Sequence, residues 1–466
     1  MTFKGKKVLL FGLGILGGGV AAANWLMRQG ARVTVTDLKT RNQLADSIAR
    51  VTGTAVWKLG GHSFEDVDAC DIVVVNPDVP IASEYIQYAF TQGKMVLNEA
   101  AIFFEEFARP IVAVTGTRGK TTTTAWTEYF VSSQFASSIA GNSSTHPFLN
   151  VLDRASSLAA AVVELPSFHL ELLDRIRIQP EVAVITNLSR DHLNRHKTME
   201  EYAAVKANIF RFQTAIQHLV LNVDNSWTDF FAGLKPASRV WYFSLRPLAD
   251  GREGVWHDRD AVYFKSAGSV SKVLSLDDIT LALGEHNLAN LCAAALAAHC
   301  LGVSWENIQT RLNSLPKIPF RQETVFATDR LMIINDTTAT SPEGAIQAIK
   351  RFGSRNAIFI AGGTDRDLEY SEWARAVCEY IKPGNLIMLE GSATDKMRAT
   401  LGSWADPVPL YSTLAECFSA ALKKAGAYSK SVIVFSPGAK SFEKFKNEYD
   451  RGEAFNTLVR DLKDKQ

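Results

Sequence analysis

A lysine that follows a glycine-rich loop gives this chain its clearest chemical signal. Residues 113–122 read AVTGTRGKTT and lie between a strand-like run and a helix-like run. The backbone amides of such a loop bind phosphate oxygens, Lys120 supplies a positive charge to the β- and γ-phosphates, and a threonine hydroxyl binds Mg²⁺. Val114 stands where the strict pattern has its first glycine. The strand–loop–helix context nevertheless favours ATP binding over a glycine turn without a ligand.

A second glycine-rich turn lies near the N-terminus. Gly12, Gly14 and Gly17 have the spacing GxGxxG between a strand and a helix, and Asp37 comes 20 residues after Gly17. Such a turn lets the backbone approach a diphosphate, while the acid binds ribose hydroxyls. The pattern predicts a site for a nucleotide-like diphosphate without saying which one. A glycine-packed turn with no ligand stays open as the alternative.

Candidate metal and catalytic groups follow the predicted strands of the middle region. Glu164 ends one strand, and Asp191 and His192 closely follow another. Since ligands bind at the carboxyl ends of parallel strands, we expect these side chains to converge above the nucleotide loop. Carboxylate and imidazole groups there are suitable Mg²⁺ ligands or phosphate contacts. For Glu164, a helix-capping or salt-bridged carboxylate is the alternative.

Two further polar residues have simpler interpretations when only their local sequence is considered. His169 is expected to pack in the core rather than bind a ligand. Lys206 lies on a helix predicted over residues 200–212. A lone lysine on a helix is normally a solvated surface charge, and nothing in its neighbourhood overturns that expectation.

The elements that position these residues form three α/β blocks. Short runs rich in Val and Ile alternate with helix-like stretches, which predicts parallel sheets with crossover helices. Prolines at 110, 316 and 319 mark the predicted linkers, because the residue before a proline rarely continues a helix. The region 246–278 is predicted to contain hairpins. The predicted strands are 8–11, 33–36, 72–75, 111–115, 161–163, 182–186, 219–222, 331–334, 357–360, 386–389 and 432–435.

Composition excludes several classes of protein. The 466 residues carry a net charge of +1, so no overall field recruits nucleic acid or an anionic membrane. The apolar run 8–23 contains five glycines, which is unlike a signal helix, and no other run is long enough to span a bilayer. Five scattered cysteines suit a reducing compartment. We expect a cytoplasmic protein without nucleic-acid or membrane partners.

Several segments, taken in order, resemble the Mur ligase family of amide-bond-forming enzymes. They are 115–122 (TGTRGKTT), 164–168 (ELPSF), 186–192 (TNLSRDH), 202–206 (YAAVK), 284–290 (GEHNLAN) and the pair Asn335-Asp336. The turn 12–17 (GLGILG), the segment 436–447 (SPGAKSFEKFKN) and the pair Arg451-Gly452 narrow the resemblance to the MurD type. The ordered set covers essentially the whole chain.

The resemblance implies a fold and a reaction. The fold is α/β in three domains: a UDP-substrate-binding Rossmann-like domain (1–108), a central P-loop ATPase domain with a mainly parallel sheet (109–316) and an amino-acid-binding Rossmann-like domain (317–466). The reaction adds D-glutamate to UDP-N-acetylmuramoyl-L-alanine through an acyl phosphate, in peptidoglycan precursor synthesis, and the enzyme is expected to be a monomer. ATP is consumed, with two Mg²⁺ ions as cofactors.

The resemblance also assigns residues to sites. Its catalytic residues are Lys120, His192 and Lys206, with Lys206 carbamylated by CO₂, which reverses the surface-charge interpretation. The implied metal ligands are Thr121, Glu164, His192 and carbamylated Lys206. The implied ATP-binding residues are Gly116, Thr117, Arg118, Gly119, Lys120, Thr121, Thr122, Asn287, Asn290, Arg321 and Asp336. The implied substrate-binding residues are Gly14, Ile15, Leu16, Asp37, Leu38, Lys39, Asn142, Ser167 and His192.

One departure from the family pattern concerns the amino acid. The family usually carries Ser-Lys-Ala-Thr where this chain has Thr337-Thr338-Ala-Thr340, so one cation is missing. Arg366 is expected to bind a glutamate carboxylate instead, assisted by Thr340 and Ser441. Addition of L-glutamate, as in a related subgroup, is therefore an alternative.

Proteins of three other kinds are alternatives. Another ligase of the superfamily is the nearest rival. A nicotinamide-dependent dehydrogenase would explain the turn 12–17 but leave Lys120 and Glu164 without a role. A non-catalytic nucleotide-binding regulator would not need those two residues.

Overall fold

The chain folds into three sheets distributed over two compact units. The computed structural model describes residues 1–15, 17–141, 146–191, 193–281, 283–354 and 356–463. The first unit is Met1–Pro316 and contains two sheets, while the second unit is Lys317–Gln466 and contains one. No helix in the described ranges is long and apolar enough to cross a bilayer.

The N-terminal sheet has five parallel strands in the order β3-β2-β1-β4-β5. Its central strand β1 and its neighbour β4 are almost entirely buried, as expected for a sheet covered by helices on both faces. The strands are β1 Lys7–Phe11, β2 Arg32–Asp37, β3 Val56–Leu59, β4 Ile72–Val75 and β5 Met95–Leu97. The helices are α1 Gly18–Arg28, α2 Ala45–Ala49, α3 Phe64–Asp68, α4 Glu84–Thr91 and α5 Glu99–Glu106.

The central sheet has nine strands in the order β14-β13-β12-β11-β10-β9-β6-β8-β7. Strands β12, β13 and β14 pair antiparallel, and the other pairs are parallel. The strands are β6 Ile111–Thr115, β7 Ser137–Gly141, β8 Ala160–Glu164, β9 Val182–Ile185, β10 His218–Asn222, β11 Arg239–Ser244, β12 Gly254–Asp258, β13 Ala261–Ser266 and β14 Ser269–Ser275. The helices are α6 Lys120–Val131, α7 Phe148–Leu152, α8 Ser167–Leu170, α9 Leu193–His196, α10 Met199–Ala207, α11 Thr228–Gly233, α12 Asp278–Leu281, α13 Glu285–Cys300 and α14 Trp305–Arg311, with 3₁₀ turns at Ala155–Ser157, Leu173–Arg175 and Leu312–Ser314.

The sheet of the second unit has six strands in the order β15-β16-β20-β17-β18-β19. Only the edge strand β15 runs antiparallel to its neighbour. The strands are β15 Glu323–Ala327, β16 Leu331–Asn335, β17 Ala357–Ala361, β18 Leu386–Leu389, β19 Leu410–Tyr411 and β20 Ser431–Phe435. The helices are α15 Pro342–Phe352, α16 Ser371–Tyr380, α17 Ser392–Leu401, α18 Leu414–Ala425 and α19 Glu448–Lys463, with 3₁₀ turns at Pro383–Asn385 and Gly402–Ala405.

Within the first unit, the two sheets are held together by apolar packing. One buried cluster joins strand residues of the N-terminal sheet to the helices α5 and α7 and to the central sheet. Phe103 of α5 and Phe148 of α7 belong to it, with ring centroids 5.5 Å apart. On the other face, Leu172 of the central region packs among Leu9, Phe11 and other side chains of the N-terminal sheet. The predicted boundary between residues 108 and 109 therefore lies inside a continuously packed unit.

The predicted α/β fold class is confirmed, with one mainly parallel sheet in each of the three predicted domains, and the predicted strands are present to within one residue at either end. The hairpins predicted in the region 246–278 are β12, β13 and β14. The helix predicted over residues 200–212 was too long, because α10 ends at Ala207. The next residue, Asn208, donates its side-chain amide to the backbone carbonyl of Leu170, 38 residues earlier, at 3.0 Å.

Candidate functional site

The loop between β6 and α6 is shaped by two glycines that approach other chain segments closely. Gly116 has a φ of 147° and Gly119 a φ of 81°. A Cβ at Gly116 would overlap the hydroxyl of Thr186, and one at Gly119 would overlap the Asn290 side-chain oxygen. Only glycine fits at both positions, and the backbone amides are left at the start of a twelve-residue helix. A helix N-terminus of this kind binds phosphate.

The loop is braced by the residues that follow β9. The amides of Thr117 and Arg118 donate to the backbone and side-chain oxygens of Asn187, both at 2.9 Å. In return, the Asn187 amide and the Thr186 hydroxyl donate to the Arg118 carbonyl at 3.0 and 2.6 Å. Sequence analysis did not single out Thr186 and Asn187 as structural supports, although both lie in a segment that resembles the family.

Lys120, Thr121 and Thr122 form the first turn of α6, which follows the loop. The Lys120 ammonium donates to the carbonyls of Gly116 and Thr117 at 3.1 and 3.0 Å, so its charge lies directly over the loop. Helix α13 packs against α6 and supplies two asparagines. Asn290 accepts from Thr123 at 3.3 Å and donates to Asn287 at 3.2 Å. The structure therefore brings Asn287 and Asn290 to the nucleotide loop.

Lys206 is fully buried, so the surface-charge interpretation of this residue was wrong. Its amine donates to the Gly116 carbonyl at 2.9 Å and to the Thr115 hydroxyl at 3.2 Å, and it lies 4.7 Å from the centre of the Tyr202 ring. Burial lowers the pKa of Lys206 well below its ordinary value, and the nearby charge of Lys120 lowers it further. Both effects favour the neutral form of the amine.

The carboxylates predicted beside the loop lie on neighbouring elements. Glu164 ends β8, whose residues pair with β6, and its negative charge acts on Lys206. Asp191 lies 3.5 Å from the Arg118 guanidinium. Among the described residues, no cluster of three or more His, Cys, Asp and Glu side chains could hold a metal. Thr121 and Glu164 could supply oxygen ligands to Mg²⁺, whereas the side chain of Lys206 carries no oxygen of its own.

Three predicted residues lie outside the described residues: Leu16, Asn142 and His192. Ser167, predicted to bind substrate, is buried and makes a hydrogen bond of 2.8 Å with the Nε2 atom of His196. His169 packs in the core as expected, 5.2 Å from the Phe148 ring, and burial lowers the pKa of its imidazole to about 3.

At the N-terminal turn, the Asp37 carboxylate holds the loop together. One oxygen accepts from the amides of Leu13 and Gly14 at 2.9 and 3.1 Å, and the other accepts from the Lys39 amide at 2.9 Å. Ile15 and Leu38 flank this turn, and their side chains are 54% and 69% exposed. Two large apolar side chains held in solvent beside a glycine turn suit a surface on which a base can pack.

A cation that sequence analysis did not single out lies beside the same turn. The Arg50 guanidinium is 3.5 Å from the position that a Cβ on Gly17 would occupy. It also donates to the Ser47 hydroxyl at 3.4 Å, and Ser47 donates to the Gly14 carbonyl at 2.8 Å. No spacing signal marks Arg50, because only the fold of the short helix α2 brings it to the turn.

In the second unit, three loops meet beyond the carboxyl ends of the adjacent strands β16, β20 and β17. The amides of Thr364 and Lys440 donate to each other's carbonyls at 2.9 and 3.1 Å, and the Gly438 amide donates to Ala339 at 2.9 Å. The Arg366 guanidinium lies 5.0 Å from the Phe442 ring centre. Within the described part of the chain, the buried Ser441 hydroxyl has no hydrogen-bond partner. The loops carrying Thr340, Arg366 and Ser441 thus converge at one edge of the sheet.

Comparisons with known proteins agree along the whole chain. The family model for the Mur ligase middle domain matches residues 114–298, and that for the MurD-like N-terminal domain matches residues 6–98. A UDP-N-acetylmuramoylalanine--D-glutamate ligase from Roseiflexus sp. (strain RS-1) is 35% identical over 98% of this chain and 99% of that protein. One from Clostridioides difficile (strain 630) is 33% identical over 99% of this chain and 100% of that protein. The chain belongs to the Mur ligase family, in its MurD-like branch.

Solved Mur ligases share the fold. A MurF structure from Acinetobacter baumannii has a TM-score of 0.61 at 20% identity, covering 92% of this chain and 90% of that one. The UDP-N-acetylmuramate-alanine ligase MurC from Thermotoga maritima has a TM-score of 0.59 at 17% identity, covering 99% of this chain and 100% of that one. At these identities the likeness concerns the fold alone.

Asp336 and Arg321, assigned to ATP by resemblance to Mur ligases, both lie in the second unit. The Asp336 carboxyl accepts from the Ser436 hydroxyl at 2.7 Å and from the Gln322 amide at 3.1 Å. Burial raises the pKa of Asp336 to about 7, although the positive charge of Arg321 opposes that rise.

Arg451, part of the pair that narrowed the resemblance to the MurD type, is fully buried beneath these loops. Its guanidinium donates to the hydroxyl and carbonyl of Thr337 at 3.0 and 2.7 Å, and to the carbonyls of Ala439 and Lys440 at 3.1 and 3.0 Å. One side chain therefore ties the loop after β16 to the loop after β20.

Replacing this guanidinium is expected to destabilise the second unit. Arg451→Met leaves buried carbonyls without donors, which costs roughly 3 kcal/mol, and thermal unfolding of the unit should begin about 8 °C lower. The control Arg375→Met removes an exposed guanidinium paired with Glu372 and should change the unfolding temperature by less than about 2 °C. Equal unfolding temperatures for the two variants would contradict this role of Arg451.

Proposed function

We propose that this chain is an ATP-dependent ligase that adds D-glutamate to UDP-N-acetylmuramoyl-L-alanine in the synthesis of peptidoglycan precursors. The observation that carries the proposal is the buried amine of Lys206, which contacts the glycine loop that Lys120 covers. The names of the relatives, which are 35% and 33% identical, supply the substrates. The family supplies the reaction class, amide-bond formation with ATP.

The residues of the loop suit the first step. A carboxylate oxygen of the substrate attacks the γ-phosphorus of ATP, ADP leaves, and an acyl phosphate forms. Phosphoryl transfer depends mainly on positioning and on stabilising charge. The amides at the start of α6 and the Lys120 ammonium supply both, because they face the place where the phosphate oxygens would lie. Mg²⁺, when bound, neutralises charge on those oxygens.

The second step forms the amide bond. The neutral amine of glutamate attacks the acyl carbon, phosphate leaves with the bonding electron pair, and the nitrogen loses a proton. We infer that Arg366, Thr340 and Ser441 hold the glutamate, since their loops converge at one sheet edge. The unpartnered Ser441 hydroxyl and the Arg366 guanidinium offer donors to a carboxylate. Arg366 thus takes over the charge of the lysine that is missing at Thr338.

We further propose that Lys206 is carbamylated. A neutral amine attacks CO₂, forms an N–C bond and loses one proton, which yields an anionic carbamate. Burial lowers the pKa of Lys206 and so favours the neutral amine, and the adjacent charge of Lys120 would stabilise an anion there. The carbamate oxygens would join Thr121 and Glu164 as ligands for two Mg²⁺ ions. The modification thus converts a side chain whose positive charge is disfavoured by burial into an oxygen ligand for Mg²⁺.

The N-terminal turn is proposed to hold the UDP part of the substrate. The turn at Gly14 and the Arg50 guanidinium would face the diphosphate, while Ile15, Leu38 and Lys39 would contact the uridine. Asp37 contributes by fixing the turn through the three amides that it binds.

The proposal is tested by phosphate release from purified protein with ATP, Mg²⁺ and UDP-N-acetylmuramoyl-L-alanine, with D- or L-glutamate in parallel. Release that depends on both substrates and on the D-isomer is expected, because the relatives carry the D-glutamate name. Release with L-glutamate alone would keep the mechanism and reject the stereochemistry. No release with either isomer would contradict the proposed substrates.

A second test addresses the carbamate. Lys206→Ala should lose at least 100-fold in kcat, because a Mg²⁺ ligand disappears, and added formate or acetate should restore part of the activity by supplying an oxygen ligand. The matched control is Lys272→Met on the exposed strand β14, which should keep wild-type activity without additives. Full activity of Lys206→Ala without a carboxylate would refute the ligand role.

A further inference from the structure

One arginine connects the two sheets of the first unit between the glycine turn and the nucleotide loop. Arg195 lies on α9, four residues after Asp191, and only 17% of its side chain is exposed. Its Nε and Nη2 atoms donate to the two carboxylate oxygens of Glu171 at 2.7 and 2.6 Å. Its Nη1 and Nη2 atoms also donate to the carbonyls of Pro77 and Val79 at 2.7 and 3.4 Å. Arg195 thus joins the segment after β8 of the central sheet to the loop after β4 of the N-terminal sheet.

The loop that Arg195 holds also contacts the glycine turn. This loop follows β4, and the Asn76 amide donates to the Phe11 carbonyl at 2.8 Å. A Cβ at Gly12 would lie 3.0 Å from the Asn76 Cβ, and one at Gly14 would lie 3.5 Å from the Asn76 side-chain nitrogen. Any shift of the loop therefore moves the surface that would bind the diphosphate.

On its other side, Arg195 is joined to the nucleotide loop through the next residue. The His196 ring stacks on the Tyr202 ring at 5.2 Å, and its Nε2 atom bonds to Ser167 at 2.8 Å. The Tyr202 hydroxyl lies 3.4 Å from the Thr117 hydroxyl in the loop itself. A continuous series of contacts therefore connects the nucleotide loop to the glycine turn. In this series, Arg195 is the residue that contacts segments attached to both sheets.

An open groove lies beside this connection between the sheets. A cavity of about 460 Å³ flanks Arg195 and Glu171, and Pro80, Ile81 and Val205 are among its lining residues. Close packing, which elsewhere sets positions to a fraction of an ångström, is thus interrupted beside the loop. The apolar contacts of Leu172 with the N-terminal sheet lie apart from this cavity and keep the two layers together.

We propose that Arg195, oriented by Glu171, is a positioning residue that fixes the UDP-binding turn relative to the nucleotide loop. This inference rests on the proposed function, in which the carboxyl end of a substrate held at the turn must reach the γ-phosphate. An error of about 1 Å in such a placement costs roughly 100-fold in rate. Lysine cannot replace the residue fully, because a single ammonium cannot bind a carboxylate in two places and two carbonyls together.

The test separates the binding of each substrate from their reaction. Arg195→Met should bind ATP and UDP-N-acetylmuramoyl-L-alanine individually with Kd values within threefold of wild type, while kcat falls about 100-fold. Arg195→Lys should fall between the two. The control Arg28→Met removes another arginine–carboxylate pair of the first unit, with Asp153 at 2.7 Å, and should keep kcat. A kcat within twofold of wild type, or weakened binding of either substrate alone, would overturn the proposal.

A second measurement does not depend on activity. Backbone amides of the loop 76–83 should exchange hydrogen faster in Arg195→Met than in wild type or Arg28→Met, since two of its carbonyl contacts are lost. Equal exchange in the three proteins would overturn the positioning role even if the wild type failed to ligate glutamate. A wild type without ligation but with altered loop exchange in the variant would reject the proposed function alone.

Discussion

The arrangement of the first unit depends on a lysine amine that is buried against the nucleotide loop. Lys206 has no contact with solvent, and its amine is held by the Gly116 carbonyl and the Thr115 hydroxyl. A second cation, Lys120, lies on the same loop, so a charged Lys206 would be both desolvated and repelled. The site therefore favours a neutral amine or its conversion to an anion.

Much of the fold could be predicted from the sequence because buried parallel strands are short, continuous apolar runs. Strands β1, β4, β6 and β20 have that pattern, and each was located to within a residue. Six of the described strands were missed, namely β3, β5, β7, β11, β15 and β19, and two of them clearly lack this pattern. The edge strand β3 alternates exposed and half-buried residues, and β19 has only two residues, Leu410–Tyr411. Their pairing is decided by the neighbouring strand, which a local pattern cannot reveal.

The residues of the candidate site also fall into those that the sequence could identify and those that it could not. The glycines and Lys120 could be identified from spacing, because their chemistry is local to one loop. Lys206 could not be understood from its helix, since its burial depends on a loop 90 residues away in the chain. Arg50 and Arg195 carry no sequence signal, because their roles arise only where separate elements meet. Long-range contacts, rather than residue type, turn these side chains into parts of a site.

The proposed enzyme depends most on the conversion of the Lys206 amine to an anionic carbamate. The most direct measurement is the carbon-13 NMR spectrum of the whole protein under ¹³C-labelled CO₂, compared with that of Lys206→Met. We expect one carbamate resonance that is present in the wild type and absent in the variant. Identical carbamate signals in the two proteins, or none in either, would contradict the claim.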